Sequence, residues 1–286
     1  MDGPSGARRP TPAQSAPDLI ADPIPGRTHG LSGGLRAAFM VLSRVPVGRG
    51  DLSLAARRWA SGWFPLVGAA LAAIAGAAAD VLAPGLGGFL AAAIAVGVLA
   101  LLTGALHEDG LADSADALGG ARDRAQIFVI LKDSRHGTYG VLTLVLMVLL
   151  RVGALDRLLA QQVSAALFAF CLAGMLSRLS LTWLLFSLPY VTPTGTSRSA
   201  DVAHAGGAQV VLASVLAIVG LGALGATAAL PWVGIAGALA ATTVSAAVAG
   251  LIFLRRAGGI TGDFLGATAQ ITETACLIAL VALPPV

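Results

Sequence analysis

Charge is what this chain has least of: only 12% of its 286 residues are Asp, Glu, Lys or Arg, against 56% hydrophobic residues and a mean hydropathy of +0.83. A soluble domain carries charge on about a quarter of its residues. The composition therefore excludes a water-solvated globule and points to an integral membrane protein. Cysteine is scarce too. Cys171 and Cys276 both lie inside apolar runs without partner spacing, so neither a disulfide nor a thiolate metal site is expected. The net charge is +3 and the pI near 9.4. The basic residues nevertheless flank apolar runs and never interleave with aromatics, which argues against nucleic acid and for membrane orientation. No sequence repeat is visible, so an inverted-repeat transporter finds no support. Residues 1–30 lack both an apolar period and the apolar core of a secretory signal. They read as a disordered, uncleaved tail ahead of one membrane-embedded domain, 31–286.

What is present is helical periodicity and long apolar runs. Residues 31–47 carry Leu35, Ala38, Phe39 and Leu42 on one side, with Arg36 and Arg44 elsewhere, as suits an amphipathic helix on the membrane surface. Six spans follow, at 64–82, 86–106, 139–155, 165–188, 208–230 and 232–254, each near the roughly 20 residues that a bilayer core requires. A seventh, 274–286, extends backwards through Ile271 with Thr272 and Glu273 at its mouth. Turn signals separate them: Pro84-Gly85, Pro189, Pro193-Thr194-Gly195, Gly206-Gly207 and Pro231. The expected fold is all-α: a polytopic integral membrane helical bundle of six or seven transmembrane helices plus the amphipathic N-terminal helix.

Lys and Arg set the orientation. Eight of eighteen (Arg8, Arg9, Arg27, Arg36, Arg44, Arg49, Arg57, Arg58) precede the first span, and Arg122, Arg124, Lys132 and Arg135 lie between the second and third. Arg198 follows the fourth, and Arg255 and Arg256 follow the sixth. The opposite connections hold only Arg157, with Arg151 and Arg178 inside spans. The positive-inside rule then makes this a multi-pass cell-membrane protein whose amino terminus is cytosolic. The acidic loop and the loops 189–206 and 255–270 share that face.

Six of the fifteen carboxylates, Glu108, Asp109, Asp113, Asp116, Asp123 and Asp133, fall within residues 106–140. Asp109, Asp113 and Asp116 are spaced i, i+4, i+7, which places them on one helix face within an arc of roughly 60°. Three like charges repel unless a cation sits against them, and oxygen donors suit Mg²⁺, or Mn²⁺ in its place. The segment Lys132-Asp133-Ser134-Arg135-His136-Gly137-Thr138-Tyr139-Gly140 offers cations, hydroxyls and backbone N–H groups to a phosphate. A juxtamembrane basic flank is the plainer reading. Arg178, in mid-span, must face an anionic substrate or an acidic neighbour. Asp263 is an isolated carboxylate in a glycine-rich turn, and His107 and His136 flank the acidic region.

The run His107-Glu108-Asp109-Gly110-Leu111-Ala112-Asp113-Ser114-Ala115-Asp116, followed by Lys132 to Val141, resembles the signature of the adenosylcobinamide-GDP ribazoletransferase, or cobalamin-5′-phosphate synthase, family. Arg44-Val45-Pro46-Val47, Trp63-Phe64-Pro65-Leu66-Val67-Gly68 and Thr261-Gly262-Asp263-Phe264-Leu265-Gly266-Ala267 with Gln270 and Glu273 match further landmarks in order. Coverage runs from about residue 31 to the end. The departures are Glu108 where an apolar residue is expected, Ala117 in place of glycine, and an unfamiliar loop at 189–195. The resemblance implies a Mg²⁺-dependent transfer in which adenosylcobinamide-GDP and α-ribazole, or its 5′-phosphate, form cobalamin and release GMP. Asp109, Asp113 and Asp116 would hold the metal, and Asp116 or Asp133 would act as base. His107, Lys132, Ser134, Arg135, Arg178 and Asp263 would contact substrate, in the bilayer and with room for a homo-oligomer. Two other classes stay open: a CDP-alcohol phosphotransferase making phospholipid, and a cation transporter. The first would want an Asp-x₂-Asp-Gly-x₂-Ala-Arg pattern that is missing here, and the second would want carboxylates at mid-membrane.

Overall fold

The computed structural model describes residues 27–48, 52–161, 165–191, 205–227 and 230–283. Among them are ten helices: α1 (Arg27–Leu42), α2 (Leu54–Leu86), α3 (Gly88–Thr103), α4 (Leu106–Gly120), α5 (Arg124–Ile130), α6 (Thr138–Leu159), α7 (Ala165–Ser187), α8 (Gly207–Ala226), α9 (Trp232–Ala257) and α10 (Gly262–Ala282). α2, α6, α7, α8, α9 and α10 are each long and apolar enough to cross a membrane, and the exposed surface is dense with Val, Leu and Ile. The protein is an all-helical polytopic membrane bundle. Of the segment read as a tail, Arg27–Gly30 belongs to α1, while 1–26 lies outside the described residues, as do Arg49, Pro193 to Gly195 and Arg198.

Small residues decide the packing. α1 lies on α2 with Gly33 and Gly34 against Ala56 and Trp59, so close that a Cβ on either glycine would overlap the neighbour. Gly68 of α2 and Gly174 of α7 meet backbone to backbone in the same way. Without a hydrophobic driving force between helices in lipid, such close approach is what dispersion requires. Asp80, near the end of α2, accepts hydrogen bonds from Ala166 N (3.3 Å) and Leu167 N (3.0 Å) and so caps the start of α7.

Two of the differences from the boundaries read off the sequence bear on the site. The stretch 86–106 does not run straight into the acidic stripe. α3 ends at Gly104 in the left-handed region (φ 67°), Ala105 follows at φ 55°, and α4 leaves at 92°. Positive φ at an alanine is strained. Arg44 holds the bend: its N–H donates to Leu102 O (2.8 Å) and its side chain lies where a Cβ on Gly104 would be. The second difference is the last span. It begins at Gly262, so the loop expected over 255–270 is largely helix. Thr261 Oγ1 caps it by accepting from Phe264 N, and Thr268 and Thr272 return their hydroxyls to Phe264 O and Thr268 O. A hydroxyl satisfied on its own helix can be buried, which is why so polar a stretch runs inside the bundle.

Candidate active site

α4 is short and polar, and two devices set it at one end of the bundle. Its carboxyl end is capped by Arg256 of α9, which donates to Leu118 O (3.2 Å) and Ala121 O (3.1 Å). Its middle lies on α10. A Cβ on Gly110 would stand 2.7 Å from Asp263 O and 3.2 Å from Gly266 Cα. Only glycine permits that approach. The segment after α7 joins the same end, where Val191 N donates to Ile260 O (2.8 Å) and Ile260 N to Pro189 O (2.9 Å).

The six clustered carboxylates take five different positions. Asp109 is exposed, Asp113 is partly buried, and Asp263 of α10 stands beside them across the Gly110 contact. Crowding has an electrostatic consequence. Burial first, then the neighbouring Asp109 and Asp263, push the Asp113 carboxyl up to about 6, with His136 partly opposing them. His136 Nδ1 lies 3.7 Å from Asp113 Oδ1. The third member of the stripe, Asp116, is turned to another task. It is buried and accepts from Gly137 N (2.6 Å) and Gly140 N (2.9 Å). The anion on the α6 amino terminus is thus Asp116 itself, which takes two of the N–H groups read as a phosphate grip, those of Gly137 and Gly140. Asp123 caps α5 by accepting from Gln126 N (2.9 Å). Asp133 is bound to Arg135 (2.7 Å), which holds its carboxyl down at about 2 and makes it a weak base. Lys132 and Ser134 are on the same turn, with Ser134 and Lys132 exposed.

Glu108 belongs to a buried network that the sequence did not announce. Arg151 of α6 donates to Gln270 Oε1 (2.5 Å) and to Glu273, and Arg178 of α7 donates to the other oxygen of Glu273. Gln270 Nε2 donates to Glu108 Oε1 (3.0 Å), which is also 3.7 Å from Arg151 Nη1. Arg178 therefore has its acidic neighbour and is buried, 2% exposed. His107 is equally enclosed, and burial, with Arg178 and Arg151 beside it, holds its imidazole well below the usual value and neutral. The available signal was the pairing of mid-span arginines with Gln270 and Glu273, since buried charges in lipid come in opposed sets.

Among the described residues no three His, Cys, Asp or Glu side chains stand close enough to hold an ion unaided. Mg²⁺, however, is usually bound by one or two carboxylates plus substrate phosphates and water. An all-oxygen pair, Asp109 and Asp113, crowded by Asp263, fits that requirement.

Fold and site together define a polytopic membrane enzyme with an acidic centre at one end of its bundle. The family model for cobalamin-5-phosphate synthase matches residues 34–281. An adenosylcobinamide-GDP ribazoletransferase from Sinorhizobium sp is 39% identical over 84% of this chain and 92% of the relative. Proteins of the same name from Rhizobium meliloti (strain 1021) and Stutzerimonas stutzeri (strain A1501) are 36% and 40% identical, over 94% and 76% of the chain and 94% and 84% of the relatives. No solved structure matches. The chain belongs to the cobalamin-5-phosphate synthase family and is a transferase of cobalamin biosynthesis. The phospholipid-synthase and transporter alternatives are thereby set aside.

Proposed function

We propose that this protein transfers α-ribazole, or its 5′-phosphate, onto adenosylcobinamide-GDP with release of GMP, and that Asp109, Asp113 and Asp263 form the reacting centre. The observation that carries the reading is the crowding of these three carboxylates at the bundle end, within a chain that aligns with ribazoletransferases along nearly its whole length. A ribazole hydroxyl oxygen attacks the cobinamide-side phosphorus, the new P–O bond forms, and the bond to the bridging oxygen breaks as GMP departs. Mg²⁺ or Mn²⁺ held by Asp109 and Asp113, with Asp263 beside them, would neutralise the charge that develops on the leaving phosphate. Lys132 and Ser134, exposed on the α5–α6 turn, would meet the phosphates. His136, next to Asp113, is assigned the hydroxyl proton in place of Asp116 and Asp133, whose oxygens are engaged by backbone N–H groups and by Arg135. A hollow of about 420 Å³ lined by His136, Gly137, Thr138, Val141, Leu142 and Val145 adjoins this point. It opens beside the exposed apolar face of α6, an approach suited to the aromatic base of the acceptor.

Purified protein in lipid, given adenosylcobinamide-GDP, α-ribazole and Mg²⁺, is expected to yield GMP and cobalamin in equal amounts. GMP formed without ribazole would make it a pyrophosphatase and remove the acceptor from the reading. Excess EDTA is expected to stop the reaction, and undiminished turnover would remove the metal.

The same reading puts the site in the cytosol, because Arg122, Arg124, Lys132, Arg135, Arg255 and Arg256 cluster around it. In a variant with Cys171 and Cys276 replaced, Ser134→Cys is expected to resist a membrane-impermeant thiol reagent in intact cells. Gln161→Cys, in the α6–α7 turn, is expected to react. The reverse pattern would invert the orientation.

A further inference from the structure

Glu108 joins the acidic helix to the ions buried in the bundle. Arg151 and Arg178 bring two positive charges from α6 and α7, and Glu273 of α10 supplies one negative charge between them. The second negative charge comes from α4. Glu108, 3.7 Å from Arg151 Nη1, brings these two arginines and two carboxylates to electrical balance, and without it they carry an excess positive charge where ions are least tolerated. Glu108 Oε2, His107 Nδ1, Arg151 Nε and Arg178 Nε are buried with no hydrogen-bond partner among the described residues. Opposed charge therefore acts beside the group's hydrogen bonds in holding it together.

The geometry links that balance to the reacting centre. Neighbouring residues on a helix differ by about 100°, so a Glu108 drawn inward by Gln270 and Arg151 turns Asp109 outward, and Asp113 lies roughly one turn on. Farther along, Arg256 and the bonds from Gly137 N and Gly140 N to Asp116 tie α4 to its neighbours. Its first turn enters through a 92° bend, and there Glu108 supplies the side-chain tie to α6 and α10. We propose that Glu108 is a positioning residue: by balancing the Arg151–Glu273–Arg178 group it locks the first turn of α4 and aims Asp109 and Asp113 toward Asp263. This rests on the assignment of those aspartates to the reaction.

A charge-neutral exchange tests it. Glu108→Gln leaves the group with an excess positive charge, Arg151→Gln with an excess negative one, and the double variant restores neutrality while keeping Arg178 and Glu273. In full-length protein in lipid nanodiscs, without metal or substrate, each single variant is expected to speed amide hydrogen exchange over residues 106–113 at least tenfold. The double variant is expected to exchange more slowly than either single. Ribazole transfer should follow the same order, falling at least tenfold in the singles and recovering in part in the double. Losses that simply multiply in the double, or exchange at the parent rate in the singles, overturn the proposal. So does an exchange cycle of the expected form with transfer unchanged in all three variants. If the parent protein itself releases no GMP, the functional reading fails, and the exchange cycle still decides whether Glu108 locks α4.

Discussion

Replacing Asp109 or Asp113 with alanine is expected to lower ribazole transfer by about 10²-fold or more, the scale of removing a group aimed at developing charge. The thermal midpoint in detergent should stay equal or rise, because like charges that repel one another are being removed. Asp116→Ala should do the opposite to the fold. It strips the partner from two N–H groups at the start of α6, and the buried one, that of Gly140, costs about 1–3 kcal/mol. Its midpoint should therefore fall, and Asp116→Asn, which keeps one acceptor oxygen, should lie between. Midpoint and turnover measured side by side separate the two roles of one stripe. Parent-level transfer in Asp113→Ala would remove the centre assigned here, and an unmoved midpoint in Asp116→Ala would remove the capping role.

The largest loss of stability is expected at Glu273. Glu273→Ala leaves Arg151 and Arg178 buried with only Glu108 opposite them, and removing one partner of a buried ion pair typically costs about 3–5 kcal/mol. Little folded protein should be recovered from membranes. Arg178→Met added to Glu273→Ala removes one of the stranded charges and should restore part of the yield. A Glu273→Ala protein that extracts and melts like the parent would show that the buried group does not hold the bundle.

Helix number and the ends of most spans follow from apolar length alone, which is why they were legible in the sequence. The bend at Gly104–Ala105 was not, because an apolar run that continues to Leu106 carries no mark of a change in direction. The marks lie elsewhere in the chain, in Arg44. The start of α10 was hidden for the opposite reason: Thr268, Gln270, Thr272 and Glu273 lower the hydropathy of a segment whose polar groups are answered by other helices or by its own backbone. Within the site, spacing correctly put Asp109, Asp113 and Asp116 on one helix. It could not tell which of them faces Gly137 and Gly140. Asp263 was visible only as a lone carboxylate, and its place beside Asp109 depends on glycines 110 and 266 in two distant segments.

The buried ion group also imposes an order on synthesis. Arg151 can meet Glu108, which leaves the ribosome before it. Arg178, by contrast, must wait for Glu273, 95 residues later. At roughly 5–20 residues per second that interval is on the order of ten seconds. During it a guanidinium on an apolar helix has no carboxylate of its own, so α7 has reason to linger at the insertion machinery or near lipid headgroups. Only the arrival of α10 lets it settle. The helix that carries Asp263 is thus also the one that supplies the partner of Arg178, and a chain stalled before α10 is expected to lack a stable place for α7 in the bilayer.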